Sequence, residues 1–333
     1  MPRSQRTHYI IGVDLGGTNI VVGALAEDGS KSVAMRSEPT RSEQGADVVV
    51  DRIVRMIDTA VKETIAETGA KRSDFLGVGV GAPGPLDRER GVVLTAPNLG
   101  WQNFPLRDVI ADRVRLAVKL DNDANCATFG EWWLGAAKGG RNVVGVTIGT
   151  GIGGGLILGG RLYHGSSDIA GEIGHTTIDV TGRRCKCGNY GCLEAYASGP
   201  SIAERAREQM HGDHDSIMYA LVDGEVERLT AAMVYDAAKQ GDETALEVVR
   251  ETARFLGAGI ANLLNVFNPD VVVIAGGVTQ AGETLFDPLR REVRKRAFAA
   301  AVECCRIVPG SLPGNAGVVG AVASFKQQSQ GTA

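Results

Sequence analysis

The chain has 333 residues, enough for two domains of ordinary size. It carries 35 Lys and Arg against 39 Asp and Glu, a net charge of −4, so no basic field speaks for a nucleic acid or an anionic membrane as partner. Hydrophobic content of 44% is a globular value, and no apolar run reaches the ~18 residues of a membrane span or the length of a signal peptide, so the expected location is the cytoplasm.

Tyr9 to Asp14 reads as a strand, followed by the turn Leu15-Gly16-Gly17-Thr18-Asn19 and a second apolar run, Ile20 to Leu25. Asp28-Gly29 marks a hairpin into a third strand, Lys31 to Met35. A glycine loop between two strands differs from a Walker A or dinucleotide fingerprint, where the loop opens a helix. Ala46 to Thr68 shows a helical stripe of Val50, Ile53, Ile57, Ala60 and Val61. Phe75 to Gly81 is a strand stopped by Ala82-Pro83-Gly84-Pro85. Leu116 to Leu120 is a short strand that enters Asp121-Asn122-Asp123-Ala124-Asn125, with a helix beyond it through Glu131 and Leu134.

The strand–turn–strand pattern then recurs. Val143 to Ile148, the turn Gly149-Thr150-Gly151, Gly153 to Leu158, the hairpin Gly159-Gly160 and Arg161 to His164 repeat the opening meander. Thr244 to Asn265 is a long helix ended by Asn268-Pro269, and Val271 to Ala275 a buried-type strand followed by Gly276-Gly277. Thr284 to Ala297 and Ala316 to Lys326 are helical, and the alternation of strands and helices makes the chain α/β. The charged, His-containing stretch Met210 to Glu227 reads as an exposed insertion. His8, His164, His211 and His214 read as solvated, Trp132 and Trp133 as packing residues, and Cys304-Cys305 as a pair opening a strand in or near the core.

Glycine numbers 45, above the usual ~7% of a chain. Such an excess means positive φ or close backbone approach to something bulky, phosphate first among the candidates. Gly16, Gly17, Gly149, Gly151 and Gly153 leave backbone N–H groups clear to reach an anion, and Thr18 and Thr150 add hydroxyl donors. Asp14 ends its strand beside the first turn, placed to hold Mg²⁺ through water. Either turn alone could equally be a tight hairpin; the pair favours a nucleotide.

Three of the six cysteines, Cys185, Cys187 and Cys192, fall within eight residues, and His175 precedes them. Three thiolates and an imidazole complete a tetrahedral Zn²⁺ shell with no position open for catalysis. A disulfide would strand a third thiol in a reducing compartment, so a structural zinc is favoured. Glu172 and Glu194 flank the ligands and would be fixed with the metal, although either alone reads as a solvated glutamate. On the residues alone Asp123 reads as a helix N-cap.

Ile11-Gly12-Val13-Asp14-Leu15-Gly16-Gly17-Thr18-Asn19 resembles the first phosphate motif of the actin-like ATPase superfamily. Val146 to Gly155 resembles its second, and Val272-Val273-Ile274-Ala275-Gly276-Gly277-Val278 its adenosine motif. Within that superfamily the chain is similar to the repressor–ORF–kinase (ROK) sugar kinases from about residue 9 to residue 325. It shares their Glu-x-Gly-His and Cys-x-Cys-Gly-x-x-Gly-Cys-x-Glu patterns, and their catalytic segment in Asn122-Asp123-Ala124-Asn125.

The resemblance implies a two-domain actin-like ATPase (ribonuclease H-like) fold with an interdomain cleft. Residues 1–120 with 316–333 would form a small domain and 121–315 a large one. It implies ATP with Mg²⁺ as phosphoryl donor, Asp123 as the base for a sugar hydroxyl, and Gly84, Asn98, Asn122, Glu172, His175 and Glu194 as sugar contacts. His175 would use the ring nitrogen not on zinc. Asp121 is left as a cap or strand-end residue. Ala170 to His175 and Gly81 to Pro85 look like the glucokinase branch, which converts ATP and glucose to glucose 6-phosphate, and such kinases are usually homodimers or homotetramers.

Other readings carry their own discriminators. Kinases for N-acetylmannosamine, N-acetylglucosamine, mannose or fructose would differ in the pocket wall, where Pro85 offers no donor for an acyl-amino group. A sugar-responsive repressor of the same family carries a helix-turn-helix domain, for which the eight polar residues before Tyr9 are too few. An actin-like filament would not need the sugar residues.

Overall fold

The computed structural model describes residues 7–211 and 215–330. The chain forms two compact units. Met1–Lys138, Leu162–Ala170 and Ser311–Ala333 make the first, and Gly139–Arg161 with Gly171–Gly310 the second.

In the first unit β1 (Tyr9–Leu15), β2 (Asn19–Ala26) and β3 (Ser32–Pro39) form an antiparallel meander. Helix α1 (Ala46–Thr68) leads to β4 (Phe75–Ala82), parallel to β1. A small separate sheet holds β5 (Leu86–Asp87), β6 (Val92–Ala96) and β7 (Trp101–Phe104). Helix α2 (Leu106–Val114) precedes β8 (Val118–Asn122), parallel to β4, and helix α3 (Asp123–Trp133) follows without a loop. The main sheet runs β3-β2-β1-β4-β8.

Alternation along β1 serves two cores. Ile11, Val13 and Leu15 pack with Val50, Ile53 and Ile57 of α1, while Ile10 packs with Val318, Val322 and Phe325 of the chain's last helix. A strand buried on both faces needs the near-continuous apolar run seen in the sequence. The last helix also presses on β4, where a Cβ at Gly79 would lie 2.0 Å from the Ala321 carbonyl oxygen. Part of the glycine excess therefore serves helix-on-sheet packing, not phosphate.

The second unit repeats the plan. Strands β9 (Val143–Ile148) and β10 (Ile152–Leu158) pair antiparallel, and β11 (Arg161–Leu162) borders β10. Helices α4 (Glu194–Ala197), α5 (Gly199–Gln209), α6 (Ile217–Leu221), α7 (Ala231–Lys239) and α8 (Glu243–Phe267) come next. Strand β12 (Val271–Ala275), helices α9 (Glu283–Arg296) and α10 (Ala299–Cys304), and β13 (Arg306–Pro309) complete it. The sheet order is β11-β10-β9-β12-β13, with β12 parallel to both neighbours, matching the first unit position for position. The last helix, α11 (Ala316–Ser329), returns to the first unit.

Four expectations change. The first unit runs past Leu120 to Lys138, because α3 lies against α11 with Gly130 and Gly320 at the contact, so Asp123 belongs to the first unit. Within the stretch expected as an exposed insertion, Met210, Met218 and Val222 are buried in the second core, and the Asp242 carboxylate accepts the Ser216 hydroxyl and the Ile217 N–H. Its apolar residues are spaced among charges, which hid α6; His214 lies outside the described residues. Cys304 is exposed at the end of α10, so only Cys305 stands at the start of β13. His164 is not solvated, since its Nε2 lies 3.1 Å from both oxygens of the buried Asp121.

Candidate functional site

Parallel pairing aligns the C-terminal ends of three strands in the first unit. Asp14 of β1 stands opposite Gly81 of β4, and Gly81 and Ala82 stand opposite Asp121 and Asn122 of β8. Open parallel sheets place ligands beyond such ends.

Asn122, not Asp123, caps α3. Its Oδ1 accepts the N–H groups of Ala124 at 2.9 Å and Asn125 at 3.1 Å, and its amide donates to the Gly84 carbonyl at 3.4 Å. Asp123 is the first helical residue, and its Oδ1 accepts the Ala124 N–H at 2.8 Å. An anion is favoured there by the helix dipole. Gly84, with φ 87°, could not carry a side chain, since a Cβ would stand 2.0 Å from the Thr95 carbonyl oxygen.

Asp14 is half-buried, and burial together with the neighbouring Asp123 carboxylate pushes its carboxyl up to about 7. Two adjacent carboxylates, one of them so reluctant to ionise, suit a divalent cation, which would favour the charged form of both. The turn beside them is tight: Gly16 N–H donates to the Asn19 carbonyl at 2.9 Å, and buried Thr40 donates its hydroxyl to the Gly16 carbonyl at 2.6 Å. Gly17, Thr18 and Asn19 are exposed at its tip. Gly17 faces exposed Asn98 so closely that a Cβ would meet the Asn98 Cβ at 3.2 Å. The first glycine turn and the Pro97–Leu99 turn are thus in direct contact.

Asp121 is 1% exposed and is more than a strand end. Both its oxygens lie 3.1 Å from His164 Nε2, Ser324 donates to it, and Arg88 Nε stands at 3.8 Å. Burial alone would raise this carboxyl, but the His164 hydrogen bond and the charges of His164 and Arg88 hold it below its ordinary value. Arg88 also pairs with Asp168 at 3.3 Å. The sequence held no periodic or motif signal for this network, since its members lie far apart in the chain.

In the second unit the turn after β9 is held from outside. Gly199, the first residue of α5, donates to the Gly149 carbonyl at 2.9 Å, and the Ile152 N–H donates to Glu194 Oε2 at 2.8 Å. Gly149 and Thr150 are exposed, whereas Gly153 lies inside β10 opposite Thr147. Gly149 and Thr150 open onto a cavity of about 770 Å³ walled by Ala203, Tyr235, Gly277 and Val278. That volume suits a nucleoside-sized ligand. The glycine pair divides its work. Gly276, at φ 99°, is forced by the Ile148 carbonyl, 2.2 Å from where its Cβ would be, while Gly277 faces open space. Helix α7, which supplies Tyr235, was not foreseen, although Thr230 before an apolar stripe is a regular N-cap signal.

The donor atoms of His175, Cys185, Cys187 and Cys192 all lie within 4.8 Å of one another. A tetrahedron with Zn–S bonds of ~2.3 Å has edges of about 3.8 Å. Cys187 Sγ to Cys192 Sγ is 3.7 Å, and Cys185 Sγ to His175 Nδ1 is 3.8 Å. A disulfide needs ~2.05 Å between sulfurs, so the geometry fits a metal shell with Nδ1 as the imidazole donor. Loss of water around Glu172 raises its carboxyl, with His175 opposing and Glu194 adding to the rise. Glu194 Oε1 lies 3.8 Å from Cys185 Sγ, so one carboxylate touches both the cysteine cluster and the turn after β9.

Residues 10–328 match the model of the ROK family. The chain is 39% identical over 321 residues to a glucokinase of Thermotoga maritima, covering 96% of this chain and 98% of that protein. It is 28% identical over 317 residues to the xylose repressor of Bacillus subtilis, covering 95% of this chain and 77% of the repressor. Among solved structures it resembles a ROK family glucokinase from Streptomyces griseus in complex with glucose and AMPPNP. The TM-score is 0.82 and the identity 36%, over 95% of this chain and 98% of that one.

Proposed function

The chain belongs to the ROK family, and on that premise we propose that it is an ATP-dependent glucokinase, transferring the γ-phosphoryl group to the 6-hydroxyl of D-glucose. The observation that carries this reading is the placement of Asp123 at the head of α3 beside Asp14, with Asn122 and Gly84 alongside. The near-full-length similarity to glucokinases supports the choice of hexose.

In this reading Asp123 accepts the 6-hydroxyl proton as the sugar oxygen attacks the γ-phosphorus and ADP leaves. The transition state is loose, so placement of the base matters more than its strength. Asn122, Gly84 and Asn98, with Glu172, His175 through Nε2, and Glu194, bind and orient the sugar hydroxyls. Gly16, Gly17, Thr18 and Asn19, with Gly149, Thr150, Gly151 and Gly153, receive the phosphates. Gly276 shapes the adenosine wall and Gly277 leaves it clear. Asp14 holds Mg²⁺, which when bound neutralises phosphate charge. His175, Cys185, Cys187 and Cys192 hold one structural Zn²⁺ that fixes Glu172 and Glu194. Three reduced thiols suit a cytoplasmic setting, and the assembly proposed is a homodimer or homotetramer.

A second reading, a sugar-responsive regulator, is favoured by the similarity to xylose repressors. Initial rates with ATP on glucose, mannose, fructose, N-acetylglucosamine and N-acetylmannosamine separate them. Glucose as the best substrate is expected; another preferred hexose overturns the choice of sugar. Sugar binding without turnover of any of the five makes the protein a regulator.

A further inference from the structure

Glu131 is the most deeply buried carboxylate of the first unit that the mechanism above leaves unused, together with Asp121. It sits two turns after Asp123 on the same helix, α3, and is 1% exposed. Its Oε2 accepts the Ala136 N–H at 2.9 Å and the Ser311 N–H at 3.0 Å, and its Oε1 accepts the Leu312 N–H at 2.8 Å. The Ser311 hydroxyl adds a longer contact at 3.4 Å. A buried carboxylate is costly unless such donors surround it, and backbone donors fix its partners in place.

What those donors lead to matters more than the burial. Leu312 returns its own carbonyl to the N–H groups of Asn315 and Ala316, each at 3.0 Å, and so starts α11. In the first turn of α11, Gly317 stands against Asp14, where a Cβ would come within 2.2 Å of Oδ2. The body of α11 then lies on α3 at backbone distance: a Cβ at Gly130 would be 2.2 Å from the Ala316 carbonyl oxygen. One chain of contacts thus runs from Glu131 through Leu312 and the start of α11 to Asp14, while α3 itself begins at Asp123. Glutamine would fit the space, but its NH₂ would have to face a backbone N–H on one side or the other, since both oxygens already accept.

We infer that Glu131 is a positioning residue that locks the start of α11 onto α3 and thereby sets the spacing of the Asp14 and Asp123 carboxylates. The inference rests on the kinase reading, in which those two groups serve the metal and the sugar hydroxyl. Misplacement of reacting groups by ~1 Å costs up to about 100-fold in rate. A residue that sets the spacing should therefore act on kcat and on Mg²⁺ dependence, and leave sugar affinity alone.

The test compares wild type with Glu131→Gln, each corrected for folded fraction. In Glu131→Gln, kcat is expected to fall at least about tenfold and half-saturating Mg²⁺ to rise about threefold or more, with the glucose Kd measured without ATP changed less than about twofold. Amide hydrogen exchange at Ala136 and Leu312 should quicken. A lower melting temperature with wild-type kcat and Mg²⁺ dependence would make Glu131 a stabilising residue only, and the inference would fall. If Glu131→Gln does not fold, Glu131→Asp, shorter by one methylene, must show the same pattern in smaller measure, and wild-type kcat there overturns the inference equally. Absence of sugar phosphorylation by the wild type is a separate result, which removes the kinase reading and this inference with it.

Discussion

Glu194 accepts the Ile152 N–H at 2.8 Å, so the carboxylate beside the last cysteine of the Cys/His cluster also holds the strand that leaves the second glycine turn. Gly151 makes room for it, since a Cβ there would approach Glu194 Oε2 to 2.6 Å. A residue expected only to face the sugar is therefore also a brace for the second glycine turn. Glu194→Ala should raise KM for ATP about fivefold or more in addition to weakening glucose, because a buried backbone donor loses its acceptor at a cost of roughly 1–3 kcal/mol. Initial rates with each substrate varied check this; an unchanged KM for ATP would leave Glu194 as a sugar ligand alone.

The same bond would carry the influence of the proposed zinc to that turn. Cys187→Ser should lower zinc below one per chain and weaken glucose binding with it, since three donors cannot complete the shell. Metal analysis and calorimetry on the same sample make the comparison. Full glucose affinity in a zinc-free variant would separate the metal from the sugar pocket.

Asp121 gives a pH test of stability. Its carboxyl is held below the ordinary value in the folded chain, so its contribution is fully present above the unfolded value near 4 and is lost as pH falls through the lower folded one. Asp121→Asn should thus cost about 2 kcal/mol at pH 7, a figure typical of a hydrogen bond to a buried charge. The difference from wild type should shrink below pH 4. Denaturant melts at a series of pH values would show it; a gap that does not narrow in acid would mean that the His164 and Arg88 interactions do not depend on the charge.

How much of this was legible in the sequence depends on how local each feature is. The two meanders, their glycine turns and the cysteine cluster occupy short contiguous stretches, so strand period, turn residues and ligand spacing were enough to place them. The roles of the glycines were not legible. Gly276 is bare because of the Ile148 carbonyl, and Gly79 because of Ala321, both partners far away in the chain. The Asp121–His164 pair and the Glu131–Leu312 bond join residues 43 and 181 positions apart, and nothing in one sequence links them. Asn122 and Asp123 are neighbours with similar capping propensity, and only the backbone at the β8–α3 junction decides that Asn122 is the cap.

The chain's tight helix-on-sheet packing predicts an intolerant site at the contact of β4 with α11. Gly79→Ala would place a methyl 2.0 Å from the Ala321 carbonyl oxygen, so either β4 or α11 must move. Overpacking of this kind costs about 1–3 kcal/mol. A thermal melt should show the loss, and a melting temperature equal to wild type would mean that α11 sits further from the sheet.

The most direct measurement is the turnover of Asp123→Asn with ATP and glucose, paired with binding of each ligand by calorimetry. With Asp123 as the base, kcat should fall about 10²–10⁴-fold, while both dissociation constants stay within about threefold of wild type. A variant that turns over within tenfold of the wild-type rate would contradict the assignment and move the search for the proton acceptor elsewhere.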